Sequence, residues 1–240
     1  MRTMLMAGLT LALAPFLAAG TFPTDVIPVE ALRSPFCLVA ESVRVSVGQG
    51  LSIVEGDYDF RYVRHYELAA LPDQIPFYYA VFVPKSADSL EDFAAITGAK
   101  LHLGSLDFAP SDFVPVPDGP DAAIQIAPAD ARIVILVFKI PRPLLHQQCR
   151  LHLSHYQPHY HCAGKTVAAV LPLLPDFESL KNEFLFSRID FTVEFETVDA
   201  VRLHRLSVNQ SVERETPQHI SVHPVDRENI AVEVAGSIGK

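Results

Sequence analysis

The chain has 240 residues, of which 49% are hydrophobic and 20% charged, so it can bury a substantial core and is not a disordered tail. The formal net charge is −9, and an acidic surface of this size repels phosphate backbones, which excludes nucleic acid as an expected partner. Nineteen prolines against eleven glycines indicate many strand ends and loops rather than long helices.

Residues 1–20 have the pattern of a secretory signal peptide. Arg2 supplies the positive charge, Leu5–Ala19 is apolar apart from Thr10, and small residues precede the expected cleavage point. The apolar run is too short to span a bilayer comfortably. We therefore predict that residues 21–240 form a secreted or periplasmic domain without an integral membrane segment.

The first half of the chain shows strand patterns. Ser42–Val47 alternates between polar residues and valines, and Tyr58–Tyr62 alternates again with aromatic residues on one face, which predicts half-buried strands in an antiparallel meander. Glu55–Asp57 lies between them as a predicted turn or bulge. Phe77–Val83 is continuously apolar and bounded by prolines, which is typical of a strand buried on both faces.

Two segments favour short helices. Ser86–Thr97 begins with polar capping residues, has Glu91 and Asp92 in its first turn and ends at Gly98, which commonly terminates a helix. Asp176–Glu183 is the second, weaker candidate. The sequence therefore predicts one or two short helices within a domain of strands.

The stretch from Phe108 to Asp130 contains five prolines and has no periodicity. Loops of this length are uncommon inside a compact domain, so it is either a surface loop or a division between two lobes near 108–130. The run that follows, Ala131–Phe138, is strongly hydrophobic and is predicted to form a central strand.

Alternating segments continue to the end of the chain, notably Phe184–Glu196 and Ile230–Val234. Roughly ten short strands separated by turn residues, without a βαβ rhythm, indicate an all-β protein. We expect an antiparallel β-sandwich with an immunoglobulin-like or similar two-sheet architecture.

A histidine-rich segment, residues 146–162, lies between two apolar runs and holds five of the ten histidines. We predict that it forms a hairpin, with strands at Arg150–Tyr156 and Thr166–Leu171. The chain either turns at Gln157–Pro158 or continues as one extended strand, and the sequence is compatible with both.

Imidazole is a preferred ligand of copper and zinc, which makes this segment a candidate site for Cu or Zn. His155, His159 and His161 share one face of an extended chain, and His152 on the other face is a further candidate. Binding by neutral imidazoles would weaken as the pH falls through the histidine range near 6.5. The alternative is an ordinary solvated surface, because no strong metal motif is present in the sequence.

Cys149 and Cys162 are the candidate disulfide pair for an exported chain. A turn between them would bring the two sulfurs together, whereas one continuous strand would hold them too far apart to bond. Cys37 would then remain a free thiol.

The sequence contains no nucleophile or phosphate-binding motif. It therefore favours an exported, non-enzymatic β-sandwich with a binding or envelope-structural role, whose partner is a protein or a small ligand. The alternative is a periplasmic or secreted metal-binding protein that uses the histidine-rich hairpin. A hydrolase whose site is assembled from loops is a weaker alternative.

Overall fold

The structure is a computed structural model that describes residues 17–18, 36–62, 72–115, 130–145, 148–162, 166–171, 190–206, 210–224 and 230–236. These residues form sixteen strands in three sheets, one α-helix and one 3-10 helix. The prediction of an all-β protein is confirmed.

The strands and helices are numbered along the chain. They are β1 Leu17–Ala18, β2 Phe36–Val47, β3 Leu51–Tyr62, β4 Gln74–Pro84, α1 Leu90–Thr97, β5 Lys100–Leu103, β6 Leu106–Phe108, β7 Asp112–Pro115, β8 Ala131–Pro141, the 3-10 helix Arg142–Leu144, β9 Gln148–Pro158, β10 Tyr160–Cys162, β11 Thr166–Leu171, β12 Asp190–Thr197, β13 Val201–Arg205, β14 Gln210–Thr216, β15 His219–Pro224 and β16 Ile230–Gly236.

The large sheet has eight strands in the order β14-β15-β12-β2-β3-β9-β5-β6. Most neighbours are antiparallel, but β12 runs parallel to β2 along its whole length. The expectation of a purely antiparallel sheet is therefore wrong at this point. Parallel neighbours need a long connection between them, and β2 and β12 lie far apart in the chain.

Two four-stranded sheets accompany the large one. The β4–β8 sheet has the order β1-β4-β8-β7, and the β11–β16 sheet has the order β10-β11-β16-β13. In the first, β1 pairs parallel with Phe77–Tyr78 of β4. The rest of the predicted signal peptide lies outside the described residues, so export remains a prediction.

Both smaller sheets pack on the same face of the large sheet, which we call its inner face. Tyr58 and Phe60 of the large sheet pack in one core with Phe77 and Phe138 of the β4–β8 sheet. A second core joins the large sheet to the β11–β16 sheet, and a third lies where the two smaller sheets meet. Burial of such side chains contributes roughly 1.5–3 kcal/mol each, so these cores hold the layers together.

The helix at the end of β4 forms as predicted. The Ser89 hydroxyl accepts a hydrogen bond from the Asp92 backbone N–H, which caps the first turn of α1. Gly98 closes the last turn in the left-handed conformation, with φ of 53°. Within the described part of the chain, no helix combines the length and apolar composition that crossing a bilayer requires. The predicted helix at 176–183 lies outside the described residues.

The proline-rich stretch from Phe108 to Asp130 contains one strand, β7, which pairs with β8 across Asp112–Pro115. Residues 116–129 lie outside the described residues. Strands from before and after this stretch pair in the same sheet, since β4 also pairs with β8. The division into two lobes remains a prediction.

One predicted turn or bulge is absent from the described chain, and a second turn, which the sequence left open as an alternative, is not formed there either. Glu55–Asp57 lies within the uninterrupted strand β3, and Gln157–Pro158 lies at the end of the uninterrupted strand β9. After His159 the chain enters the β11–β16 sheet, where β10 pairs antiparallel with β11. The hairpin in this region therefore joins β10 to β11, whereas β9 belongs to the large sheet.

Candidate functional site

The outer face of the large sheet, opposite the two smaller sheets, carries a row of paired acidic and histidine side chains. His152 of β9 lies opposite Asp57 of β3, and its Nδ1 atom is 3.0 Å from Asp57 Oδ1. Both side chains are partly exposed to solvent. The row therefore begins with a histidine oriented by a carboxylate.

A second pair of the same kind lies next to it. His102 of β5 is the cross-strand neighbour of His152, and its Nδ1 atom is 2.7 Å from Oδ1 of Asp107 on β6. Asp57, His152, His102 and Asp107 thus form a line across β3, β9, β5 and β6. We call these four residues the histidine row.

The two aspartates determine which nitrogen of each ring is free. An ionised carboxylate only accepts hydrogen bonds, so Nδ1 of His102 and Nδ1 of His152 must each donate. In a neutral imidazole this leaves the lone pair on Nε2. Metal-binding histidines almost always show this arrangement, in which the far nitrogen donates to a carboxylate or carbonyl that holds the ring in place.

The spacing of the two rings suits a shared ion. The ring centres of His102 and His152 lie 5.6 Å apart, with 38° between the ring planes. A metal about 2.0–2.1 Å from Nε2 lies about 3.2 Å from the ring centre, so rings that share one ion have centres about 5–6.4 Å apart. The observed distance falls inside that range. The two side chains are 29% and 38% exposed, so an ion can reach them from solvent.

The row supplies two nitrogen ligands from this chain. The Ser154 hydroxyl lies 3.5 Å from His102 Nε2 and donates a long hydrogen bond to it, which an ion bound at this nitrogen would replace. Among the described residues, no three His, Cys, Asp or Glu side chains come together as a metal cluster. The aspartates of the row contact Nδ1 of the rings, so they act as orienting groups rather than as direct ligands.

His155 is separated from His152 because it lies on the inner face of β9. It is 3% exposed, its Nδ1 donates to the Tyr156 carbonyl, and its Nε2 is 3.3 Å from the Tyr79 hydroxyl. Burial lowers the pKa of His155 to about 4. The structure therefore does not bring His155 to a site shared with His159 and His161 with a free ring nitrogen, because both nitrogens already bond within the core.

His159 and His161 are also not brought into one site. His159 lies between β9 and β10, and its Nε2 is 2.9 Å from the Ser52 hydroxyl. Burial lowers the pKa of His159 to about 4. His161 is exposed on β10, in a different sheet from His152. The H-x-H spacing fails because the chain passes from one sheet to another between the two residues.

The predicted disulfide between Cys149 and Cys162 does not form, since Cys149 is a free, buried thiol. Cys149 pairs with Phe60 near the start of β9, and the strand carries the chain about 30 Å onward before Pro158. The sequence is compatible with a path that keeps the two cysteines apart, and the structure shows such a path: β9 runs to Pro158 in the large sheet, and Cys162 lies on β10 in the β11–β16 sheet. Burial raises the pKa of the Cys149 thiol to about 12.

A second group of polar side chains is buried inside the protein. The Glu41 carboxyl is only 4% exposed, and burial raises its pKa to about 8. Tyr58 lies opposite Glu41 on β3, and its ring contacts that of Tyr79 edge to face. Burial raises the pKa of both tyrosines. At neutral pH the side chains of Glu41, Tyr58 and Tyr79 are therefore mostly protonated.

Ser52 and His159 form a serine–histidine pair, to which the described residues add no third polar group. Ser52 is fully buried, and the Nδ1 atom of His159 has no hydrogen-bond partner among the described residues. A catalytic histidine needs a third group on that nitrogen. The amide of nearby Gln157 is likewise buried without a partner in the described part of the chain.

Three members of the histidine row were not recognised in the sequence. The alternation in Lys100–Leu103 indicates a strand with His102 on its polar face, but nothing local indicates which histidine lies beside it. Asp57 follows Glu55 and Gly56 in a pattern that predicts a turn or bulge, and Asp107 has no motif around it. The pairing depends on strands that are fifty residues apart.

Comparison with known proteins identifies no family. No protein-family model matches the chain, and no curated protein matches it. Among solved structures, native yeast LTA4 hydrolase matches with a TM-score of 0.39 and 8% sequence identity, over 84% of this chain and 29% of that chain. The chain thus spans less than a third of that protein, and so distant a likeness indicates nothing about activity.

Proposed function

We propose that this chain is an exported, non-enzymatic β-sandwich, immunoglobulin-like in its two packed layers, that binds a transition-metal ion between His102 and His152. One observation carries the metal assignment: two cross-strand histidines each donate Nδ1 to a carboxylate and lie with ring centres 5.6 Å apart. The binding role comes from this exposed row rather than from the histidine-rich segment as a whole.

Orientation is the reason to favour a metal over an ordinary polar surface. A single surface histidine that bonds to a carboxylate adds little to the stability of the fold, because exposed ion pairs contribute about 0–1 kcal/mol. In the histidine row both rings are fixed by aspartates, and they are neighbours in register on adjacent strands. Fixed tautomers and fixed rings lower the cost of placing two Nε2 lone pairs on one ion.

The ligand type selects the metal class. Imidazole nitrogen suits Zn(II) and Cu(II), whereas Ca(II) needs six to eight oxygen ligands and Mg(II) prefers oxygen as well. The carboxylates of Asp57 and Asp107 each bond to a histidine ring, so neither is free to build an oxygen cage. Zinc and copper are therefore the ions to test.

The experiment is calorimetric titration of the mature protein with Cu(II) and Zn(II). We expect micromolar or tighter binding that is lost in His102→Ala and in His152→Ala. His161→Ala is the matched control, because it removes an exposed histidine on a different sheet. Binding that survives both row substitutions, or that is lost in His161→Ala, contradicts the site.

The orienting aspartates provide a second test of the same site. We expect Asp107→Asn to weaken the affinity about 10–100-fold without abolishing binding, as is usual when a carboxylate behind a metal-bound histidine is changed. An affinity equal to that of the original protein would show that Asp107 does not orient His102.

Export is the remaining part of the proposal and is tested separately. Residues 1–20 support it by their composition. We expect the mature protein to be recovered outside the cytoplasm with a new N-terminus near residue 21, as determined by intact mass. A cytoplasmic protein that keeps its first twenty residues would contradict export.

A further inference from the structure

We propose that the metal ion joins two copies of this chain, so that each copy supplies His102 and His152 and the ion lies on the twofold axis between them. This inference rests on the proposed function, since it concerns the partner of the same site. The partner is a second copy of the chain, placed face to face on the outer side of the large sheet.

The coordination number is the first reason. Zinc sites of structural type have four protein ligands, and this chain brings only two imidazole nitrogens to the row among its described residues. Two copies related by a twofold axis supply two nitrogens each, which completes a four-nitrogen site. Such an axis is the commonest symmetry of protein dimers, because one surface patch then contacts its own copy.

The second reason is the apolar surface beside the row. Ile53 and Tyr156 are cross-strand neighbours on the outer face, 42% and 47% exposed, and Leu51 next to them is 42% exposed. The Ile53–Tyr156 pair lies four residues from the Asp57–His152 pair along the same two strands, which is a distance of about 13 Å. Two copies that share the metal would bring these side chains to the rim of the contact, where their burial favours association.

The third reason is charge, which makes the association depend on the metal. The outer face around the row carries four acidic side chains, Glu55, Asp57, Asp59 and Asp107, against three basic ones, Lys100, Arg150 and Arg44, which is the cross-strand neighbour of Glu55. Arg150 is held by Asp59 in a two-point ion pair. Two such faces repel each other unless a cation lies between them. A divalent ion on the axis supplies that charge.

The experiment measures mass and stoichiometry together on the mature chain. We expect sedimentation or light scattering to show a monomer in chelator and a dimer with Zn(II), and calorimetry to give one ion per two chains. A second addition of chelator should restore the monomer. His102→Ala and His152→Ala should remain monomeric with zinc.

The outcomes separate the two proposals. One ion bound per chain to a protein that stays monomeric overturns the dimer and leaves the metal site intact. A dimer of unchanged stability in chelator overturns the bridging role of the ion. Absence of any binding overturns both the dimer and the proposed function.

A surface variant tests the contact without touching the ligands. We expect Ile53→Lys to weaken zinc-dependent dimerisation at least tenfold while His102 and His152 still bind the ion. Val198→Lys is the matched control, because Val198 is an exposed apolar residue in the turn between β12 and β13. Dimerisation that is equally strong in both variants overturns the proposed contact, and circular dichroism verifies that each variant is folded.

Discussion

The ring of Tyr58 lies across Gly56, two residues earlier on β3, and occupies the space where a β-carbon at position 56 would be. The glycine is therefore needed for close approach and not for a turn, since it lies inside a continuous strand. This relationship places a large aromatic ring flat on its own strand, beneath the β4–β8 sheet.

The first prediction concerns this contact. Gly56→Ala should lower the free energy of unfolding by about 1–3 kcal/mol, because the ring of Tyr58 must move within a packed core. Urea unfolding monitored by circular dichroism measures the change. Gly50→Ala is the control, since a β-carbon there meets no atom within 4 Å. Equal stability of the two variants would show that the ring moves at no cost.

The second prediction concerns Glu41, whose pKa is raised to about 8 by burial. Between pH 4.5 and 8 the unfolded chain loses the Glu41 proton while the folded chain keeps it. The contribution of Glu41 to the free energy of unfolding is at its full value below pH 4.5. It falls as the pH rises to 8, by about 1.4 kcal/mol per pH unit. Glu41→Gln stays neutral and should remove this fall, as seen in urea unfolding at pH 6.5, 7.5 and 8.5. An unchanged slope in the variant would place the effect elsewhere.

The third prediction concerns His155, whose pKa is lowered to about 4 by burial. Between pH 6.5 and 4 the unfolded chain gains a proton on this ring and the folded chain does not. The stability from His155 is present above pH 6.5 and is lost as the pH falls to 4. His155→Gln should reduce this acid-side loss in unfolding experiments between pH 4 and 7.

Tyr79→Phe is the control for that experiment. It removes the hydroxyl that lies 3.3 Å from His155 Nε2 and introduces no titrating group. We expect a loss of about 1 kcal/mol that is similar at each pH. If His155→Gln and Tyr79→Phe had the same pH profile, titration of His155 would not explain the acid-side loss.

The fourth prediction concerns Gln157, whose side-chain amide is buried with no hydrogen-bond partner in the described residues. Gln157→Met has a similar shape and removes the unpaired polar atoms, so the free energy of unfolding should rise by about 1–3 kcal/mol. Thermal and urea unfolding measure it. Destabilisation would instead show that an internal water satisfies the amide.

The fifth prediction concerns Cys149. A buried thiol with a pKa of about 12 is mostly protonated at neutral pH, and the thiolate is the reactive form. The native protein should therefore leave Cys149 unmodified by a thiol reagent for hours, whereas the unfolded protein should react within minutes. Peptide mass analysis without reductant should also find no Cys149–Cys162 bridge. Such a bridge would contradict the extended path of β9.

Local sequence patterns were sufficient to predict much of the secondary structure. The alternation of Val43, Val45 and Val47 predicted a strand with one buried face, and all three are buried. Ser89 and Gly98 bound the described helix because capping depends on residues a few positions apart. The prediction for the histidine-rich segment also depended on neighbours along the chain, and there the local spacing was not sufficient. Local spacing placed His155 with His159, although one is buried between layers and the other follows the end of β9.

The sequence by itself determined which side chains alternate between core and solvent and where the described helix begins and ends, because those properties depend on neighbours along the chain. Only the tertiary structure decided that β2 pairs with β12, that β9 joins the large sheet, and that His102 lies beside His152. Register between distant strands is specified where one face of the sheet is buried, because a shift by one residue would move the apolar side chains to the solvent face. A pair of histidines fifty residues apart becomes one site only after that register is established.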